Sequence, residues 1–331
     1  MTADLRALGI AVGHATDVEG ATGLTVVRGI DGPLRAGSAV FGRATGTREL
    51  HVTAADHLTG RVDAVLLTGG SAYGLDAAAG VMRWMEERGR GFPVRVGVMP
   101  IIPAAVIFDL APLGRPDARP TAEMAYEACE RASADTVEEG AVGVGTGATV
   151  GKIAGPMHAM KGGFGCAVKA GRRWRVAALA VVNAYGDVRD EAGQIIAGAR
   201  SDGGFLDTAR VLASGSAASV RADGAALGQG APPNTTLGIV ATDAPLTRVG
   251  LTHLARASGA ALFRRITPTG TSVDGDIVFA LAPAGPATAT TSGPATDTME
   301  LEALAVIALE GAIERAVRLA RGRDGIPGLA D

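Results

Sequence analysis

The chain has 331 residues, of which 47% are hydrophobic, and it carries a formal net charge of −3. This composition can bury a large core and excludes a disordered chain. The slightly acidic balance offers no basic surface for nucleic acid. Cys129 and Cys166 are too few for a disulfide framework and no signal peptide is evident, so we expect a cytoplasmic protein. The charge-free run at residues 96–108 is interrupted by two prolines, so we expect no membrane span.

Short apolar strands alternate with amphipathic helices, which is typical of an α/β protein. Strands are predicted at residues 8–17, 25–28, 62–67, 175–182 and 277–281, and helices at 75–85, 121–132, 247–266 and 298–321. The buried stripe of the first helix is predicted to be Leu75, Ala78, Ala79, Met82 and Met85. Residues 213–234 and 282–297 are rich in small residues and are predicted to be loops.

Two glycine-rich segments invite a nucleotide-binding interpretation. Residues 69–74 follow a strand, but they lack the G-x-G-x-x-G spacing, so close strand–helix packing explains these glycines better. Residues 140–152 imitate a phosphate-binding loop, yet Ile153 takes the place of the required hydroxyl. The sequence therefore favours a packing role for the first segment and argues against triphosphate binding at the second.

Lysine is used sparingly and in one place. The only three lysines, Lys152, Lys161 and Lys169, stand among twenty-eight arginines and lie within 18 consecutive residues. Lysine is compact and can lose its proton when buried, so we predict a site role for Lys152 or Lys161. The alternative is a solvated surface position, which suits Lys169 best.

Polar residues at strand ends supply further candidates. Asn183 follows a buried strand, where its amide can donate to a substrate oxygen or only cap a turn. Asp274 and Asp276 lie two residues apart, so in extended geometry both face one side. They could position an amine or share a proton, or they could form an ordinary hairpin turn.

The stretch from Asn234 to Thr242 joins a polar loop to a core strand. The Thr235 hydroxyl could attack the preceding carbonyl and break the chain, and the freed α-amine would then serve as the nucleophile's own base. The alternative is a polar loop that leads into an ordinary strand. The five histidines show no zinc-type spacing, so we expect no metal.

Taken together, ordered segments along nearly the whole chain resemble the DmpA-like family of self-processing aminopeptidases, which includes β-aminopeptidases and nylon-oligomer hydrolases. The segments are GIAVGHATD, LLTGGSAYGLDAAAGVMRWMEE, IIPAAVIFDL, EGAVGVGTGATVGK, KGGFG, AVVNAYGDV, NTTLGIVATDAPL and VDGD. The resemblance implies a four-layer α/β/β/α sandwich of the N-terminal-nucleophile type. It also implies one domain over residues 1–331, cleaved into chains 1–234 and 235–331.

The same resemblance assigns roles to individual residues. Thr235 matches the nucleophile and Asn234–Thr235 the cleaved bond. The supporting residues Lys152, Asn183, Asp274 and Asp276 match other site positions, the aspartates as in the nylon-oligomer branch. Phe108 stands where the family commonly has tyrosine, which would remove one oxyanion donor or place Phe108 in the substrate pocket.

The expected activity is amide or ester hydrolysis through an acyl-enzyme, with no cofactor. Substrates implied by the family are peptides with a free amino terminus, β-peptides, D-amino acid amides and oligoamides, and the family implies a homo-oligomer, a tetramer of cleaved units. Two alternatives stay open at this point. One is an acyltransferase of the ornithine-acetyltransferase type, and the other is a non-catalytic nucleotide-binding protein.

Overall fold

The computed structural model of the protein describes residues 4–217, 234–285 and 295–331. The strands in chain order are β1 (Ile10–Asp17), β2 (Thr22–Gly29), β3 (Leu34–Val40), β4 (Thr47–Arg48), β5 (Ala64–Thr68), β6 (Phe92–Val94), β7 (Gly97–Met99), β8 (Ala104–Val106), β9 (Thr149–Val150), β10 (Met160–Lys161), β11 (Gly163–Ala170), β12 (Arg175–Asn183), β13 (Asp187–Arg189), β14 (Ile195–Ala197), β15 (Arg200–Ser201), β16 (Gly204–Phe205), β17 (Thr235–Thr242), β18 (Ile266–Thr267) and β19 (Ile277–Pro283). The α-helices are α1 (Ala78–Glu86), α2 (Ala122–Arg131), α3 (Thr208–Ala213), α4 (Arg248–Ser258), α5 (Ala260–Arg265) and α6 (Ala295–Arg318).

Two five-stranded sheets form the centre of the fold. The first has the strand order β1-β2-β5-β8-β4, and the second has the order β11-β12-β17-β19-β3. In the second sheet β17 is central, antiparallel to β12 and parallel to β19. A central strand must be covered on both faces, which explains why β17 is an almost continuous apolar run.

The sheets pack face to face, and helices cover their outer faces. Between the sheets, Leu67 of the first sheet belongs to the same buried cluster as Leu179 and Leu237 of the second. Helices α1 and α2 cover the first sheet, and α4 and α6 cover the second. The predicted four-layer α/β/β/α sandwich is therefore confirmed.

Most predicted elements form, but two helices begin or break differently. A 3-10 turn over Ser71–Ala77 precedes α1 and changes its phase, so the predicted core residue Ala79 is exposed while Val81 is buried. The helix predicted over residues 247–266 is split at Gly259, where a side chain would collide with the ring of Phe41.

The C-terminal half needs two further adjustments. The last helix ends at Arg318 rather than near residue 321, since the segment beyond it folds back and Ala330 donates to the Ala320 carbonyl. Of the two predicted loops, residues 218–233 and 286–294 lie outside the described residues. In the part of the chain that is described, no helix combines the length and the apolar character needed to cross a bilayer.

Candidate active site

The site begins where β17 begins. Thr235 is the first residue of this strand, and it pairs across the sheet with Asn183, the last residue of β12. Side chains alternate along a strand, so Thr235 is on the same face as Leu237, which packs between the two sheets. Thr236 is on the opposite face, toward the helices. The sheet thus separates the two neighbouring hydroxyls.

A short segment before β19 clasps the Asn234–Thr235 bond. The Asn234 carbonyl oxygen accepts a hydrogen bond from the Gly275 N–H at 2.6 Å, and the Asn234 N–H donates to the Val273 carbonyl at 3.1 Å. A side-chain carbon at Gly275 would lie 2.8 Å from Thr235 Oγ1, so glycine is required where the two segments meet. No sequence motif indicates Gly275, although it stands between Asp274 and Asp276.

Lys152 contacts the side chain of the residue before this bond. Its buried Nζ donates to Asn234 Oδ1 at 2.8 Å, to Asn183 Oδ1 at 2.9 Å and to the Asn183 carbonyl at 3.1 Å. Burial lowers the pKa of Lys152 to about 7, against the opposing attraction of Asp274. Three acceptors match the three donors of an ammonium group, so this geometry offsets part of the cost of burying the charge.

Asn183 links Lys152 to Phe108. Besides Lys152, Asn183 Oδ1 accepts from the Thr149 N–H at 3.1 Å, and Asn183 Nδ2 donates to the Phe108 carbonyl at 3.0 Å. Both ends of the amide are therefore fixed. Phe108 joins this network through its main chain, while its side chain is half-buried.

The paired aspartates lie beside the start of β17 and are held by the segment that precedes them. Asp276 Oδ1 accepts from the Thr236 N–H at 2.6 Å, and Oδ2 accepts from Thr269 Oγ1 at 2.7 Å and from the Gly270 N–H at 3.0 Å. Asp274 Oδ2 accepts from the Thr271 N–H at 2.8 Å. The segment leads into a strand parallel to β17, so these residues do not form the ordinary hairpin turn that was the alternative.

Burial makes ionisation of this pair unfavourable. The pKa of Asp276 rises to about 6, chiefly because the carboxyl is buried and then because Asp274 is close. Burial also raises the pKa of Asp274, against the attraction of Lys152. Burial therefore shifts both carboxyls toward the neutral form.

The other two lysines occupy contrasting places. Lys161 is fully buried, and its Nζ donates to the Ala148 carbonyl at 2.6 Å and to the Thr146 carbonyl at 2.9 Å. The glycine-rich segment at residues 140–152 thus bends around a lysine of its own chain. Lys169 is exposed, as its surface interpretation predicts.

The glycine turn at residues 69–74 encloses a buried carboxylate that no sequence motif indicates. Asp109 accepts from the Gly70 N–H at 2.6 Å and from Thr22 Oγ1 at 2.8 Å. A side chain at Gly69 would collide with the Asp109 carboxyl. Close packing explains these glycines, and the adjacent Phe108 is anchored as a result. Among the described residues no cluster of three or more His, Cys, Asp or Glu side chains is suited to a metal ion.

Comparison with known sequences gives a full-length match. The model of peptidase family S58 matches residues 6–329. An uncharacterized aminopeptidase of Mycobacterium tuberculosis is 42% identical over 286 residues, which cover 83% of this chain and 79% of the relative. A 6-aminohexanoate-oligomer endohydrolase of Kocuria sp. is 28% identical over 316 residues, which cover 91% of this chain and 80% of the relative.

Solved structures share the same fold. A Burkholderia sp. beta-aminopeptidase superposes with a TM-score of 0.69 at 22% identity, over 99% of this chain and 92% of its own. The L-aminopeptidase D-Ala-esterase/amidase of Ochrobactrum anthropi superposes with a TM-score of 0.67 at 20% identity, over 98% and 90%. The latter is described as a variant of the Ntn hydrolase fold.

Proposed function

Because this chain belongs to peptidase family S58, we propose that it is a self-processing hydrolase whose nucleophile, Thr235, is released by cleavage of the Asn234–Thr235 bond. The chain is a hydrolase of peptide or amide bonds. Cleavage would divide it into chains 1–234 and 235–331. The observation that carries the proposal is the clasp around this bond, in which the Gly275 N–H holds the Asn234 carbonyl oxygen at 2.6 Å next to Thr235 Oγ1.

Self-cleavage would proceed by an N-to-O acyl shift. Thr235 Oγ1 attacks the Asn234 carbonyl carbon, and negative charge develops on the oxygen that the Gly275 N–H already contacts. One aligned donor of this kind typically contributes about 10²–10³ in rate. As the C–N bond breaks, the hydroxyl proton passes to the departing nitrogen, which becomes the α-amine of Thr235. Water then hydrolyses the ester and leaves Asn234 with a carboxylate.

Turnover would repeat this chemistry on a substrate. The α-amine of Thr235 takes the hydroxyl proton, Oγ1 forms an ester with the acyl group, and the amine product departs with that proton. Asn183 would stabilise the oxyanion through its amide, assisted by backbone N–H groups. Lys152, Asp274 and Asp276 would position the new amino terminus, and the buried lysine charge would favour a neutral amine. Every step uses groups of the chain and water.

The substrate would be a small peptide or oligoamide. Two kinds of relative support this range, because one is named as an aminopeptidase and another as an endohydrolase of 6-aminohexanoate oligomers. The hydrolase assignment replaces the non-catalytic nucleotide-binding alternative. The acyltransferase alternative is distinguished by supplying a free amine acceptor and measuring whether acyl transfer outruns hydrolysis.

The nucleophile is tested by two matched substitutions. Thr235→Ala removes the proposed nucleophile, whereas Thr236→Ala removes the neighbouring hydroxyl, which has no hydrogen-bond partner among the described residues. We expect wild type and Thr236→Ala each to give two chains, with Thr235 as the new amino terminus. Thr235→Ala should remain one chain without amidase activity.

Intact mass and amino-terminal sequencing decide the result. An uncleaved wild-type protein that nevertheless hydrolyses amides would place the nucleophile elsewhere. A new amino terminus at residue 236 would transfer the role to Thr236, contrary to the strand alternation that turns this side chain toward the helices.

A further inference from the structure

The residue before the nucleophile is also the first acyl group that the nucleophile would carry. Under the proposed function, the Asn234 carbonyl carbon becomes bonded to Thr235 Oγ1 during self-cleavage. A substrate's acyl carbon becomes bonded to the same oxygen during turnover. Groups that hold Asn234 in the uncleaved chain are therefore placed to hold the acyl part of a substrate.

Asn234 is completely buried and is held at three of its polar atoms. Its side-chain oxygen accepts from Lys152 Nζ at 2.8 Å. Its carbonyl oxygen accepts from the Gly275 N–H at 2.6 Å, and its N–H donates to the Val273 carbonyl at 3.1 Å. These three groups form the acyl niche: one cationic donor, one amide donor and one carbonyl acceptor.

Departure of Asn234 after cleavage would leave the niche with an unmatched donor. Lys152 would keep the two oxygens of Asn183 and lose its third acceptor. A buried donor without a partner is unfavourable, and more so when it is charged. A ligand that restores an oxygen at this position gains that energy, whereas an alkyl group of the same shape does not.

We propose that the acyl niche is a substrate subsite selective for acyl groups that carry a carbonyl oxygen on the fourth carbon, as in amides and peptides with an amino-terminal asparagine. This inference rests on the proposed function. The side-chain oxygen of such a substrate binds Lys152, and its scissile carbonyl oxygen meets the Gly275 N–H. Its free amine donates to the Val273 carbonyl in place of the Asn234 N–H.

Kinetics on a matched pair of substrates test the preference. Leucine has the branching and nearly the size of asparagine but no side-chain oxygen. Sites built to hydrogen-bond a substrate group reject analogues that lack it by large factors. We expect kcat/KM for L-asparaginyl p-nitroanilide to exceed that for L-leucyl p-nitroanilide by at least tenfold. Equal values, or a preference for leucine, would overturn the proposal.

Ligand binding tests the niche without catalysis. Free L-asparagine should raise the melting temperature of cleaved wild-type protein and of cleaved Thr236→Ala, and L-leucine should not. The uncleaved Thr235→Ala protein keeps its own Asn234 in the niche, so L-asparagine should leave its melting temperature unchanged. Equal shifts in cleaved and uncleaved proteins would place the ligand elsewhere and overturn the inference.

Intact masses of all three proteins, measured first, separate the two levels of the argument. If wild type is uncleaved, the niche never empties, and both the proposed function and this inference fail. If wild type is cleaved and Thr235-dependent but neither assay distinguishes asparagine from leucine, only the subsite fails. Cleavage together with asparagine preference and cleavage-dependent binding supports both.

Discussion

Lys152 and Lys161 are chemically alike and structurally different. Both are buried, and burial lowers the pKa of each to about 7. Lys161 donates to backbone carbonyls within residues 145–148, which belong to one loop. Lys152 donates to two oxygens of Asn183 and to the side chain of Asn234. The first set of acceptors belongs to the fold alone, and the second includes the residue whose bond the proposed function breaks.

The difference shows that a buried lysine can either stabilise a loop or contact a residue at the candidate site. Lys161 satisfies the buried Thr146 carbonyl in the middle of the glycine-rich segment. Lys152 is the last residue of that segment and contacts Asn234 directly. Under the proposed function, Lys161 would serve the fold and Lys152 would serve the reaction.

The largest expected effect is on the rate of self-cleavage, which should fall much more in Lys152→Met than in Lys161→Met. Lys152→Met keeps the length of the side chain and removes the donor to Asn234 Oδ1, so self-cleavage should slow by about 10²-fold, the typical cost of misplacing a reacting group by about 1 Å. The measurement is the fraction cleaved over time, followed by intact mass during refolding from denaturant. Lys161→Met should change this rate less than tenfold in the folded fraction.

Arginine at the same position sharpens this test. Lys152→Arg keeps the charge but adds bulk and a planar fork that stays protonated when buried. We expect cleavage or turnover to slow well over tenfold while the protein stays folded. Wild-type rates in Lys152→Arg would remove Lys152 from the reaction and end the contrast with Lys161.

The second effect is on stability and should not separate the two positions. Lys161→Met leaves the Thr146 carbonyl without its donor, while the Ala148 carbonyl keeps the Gly162 N–H. An unsatisfied buried group costs about 1–3 kcal/mol, so we expect the free energy of unfolding to fall by about that much. Lys152→Met removes a donor from the Asn183 carbonyl and from Asn234 Oδ1, while Asn183 Oδ1 keeps the Thr149 N–H, so its loss should be similar. Urea unfolding in the uncleavable Thr235→Ala background measures both. An unchanged free energy of unfolding in Lys161→Met would contradict its role in the fold.

How much of this contrast the sequence predicts depends on the kind of signal. The lysine clustering predicts that Lys152 or Lys161 has a role, and apolar periodicity predicts the strands around Thr235 and Asn183. Neither signal distinguishes the two lysines, because their acceptors come from segments distant in sequence. Gly275 is not predicted for a related reason, since residue type does not indicate which backbone N–H groups belong to a site. The resemblance to a family supplied the four layers and the pairing of Lys152 with Asn234–Thr235.

Phe108 also shows where residue types mislead. As an apolar side chain it predicts a lost oxyanion donor or a pocket wall, yet its clearest contact is a main-chain one to Asn183. The main chain of Phe108 is held for this contact because the next residue, Asp109, is anchored in the glycine turn. The sequence places both residues together but does not indicate that one fixes the other.

The third effect concerns the end of the Lys152 network that reaches Phe108. Phe108→Tyr adds one hydroxyl to a half-buried ring, and if the oxyanion lacks a donor, kcat should rise several-fold. Asn183→Ala should then harm the tyrosine variant less than wild type, since a second donor compensates. Steady-state kinetics of the four proteins test both points. A flat or lower kcat with altered substrate preference would instead place Phe108 in the specificity pocket.

The smallest effect is on the pH dependence of stability. It tests whether the two lysines have the same pKa in the uncleaved chain. In the folded chain the pKa of Lys161 is lowered from 10.5 to about 7. Between these values the unfolded chain binds one more proton than the folded chain, so the free energy of unfolding must rise with pH. One proton corresponds to a slope of at most about 1.4 kcal/mol per pH unit. Below pH 7 both states are protonated and the slope vanishes.

Lys152 has the same lowered pKa in the uncleaved chain, so each methionine variant should lose the same part of that slope. The measurement is urea unfolding of Thr235→Ala, with and without Lys161→Met or Lys152→Met, at steps from pH 7 to 9.5. Subtracting each variant from its parent removes the titration of tyrosines and cysteines common to both. Equal slopes would show that the two lysines differ only in what they hold. An unchanged slope in one variant would show that the acceptors of the replaced lysine keep its ammonium group charged despite burial. The two lysines would then differ in charge as well as in their contact with Asn234.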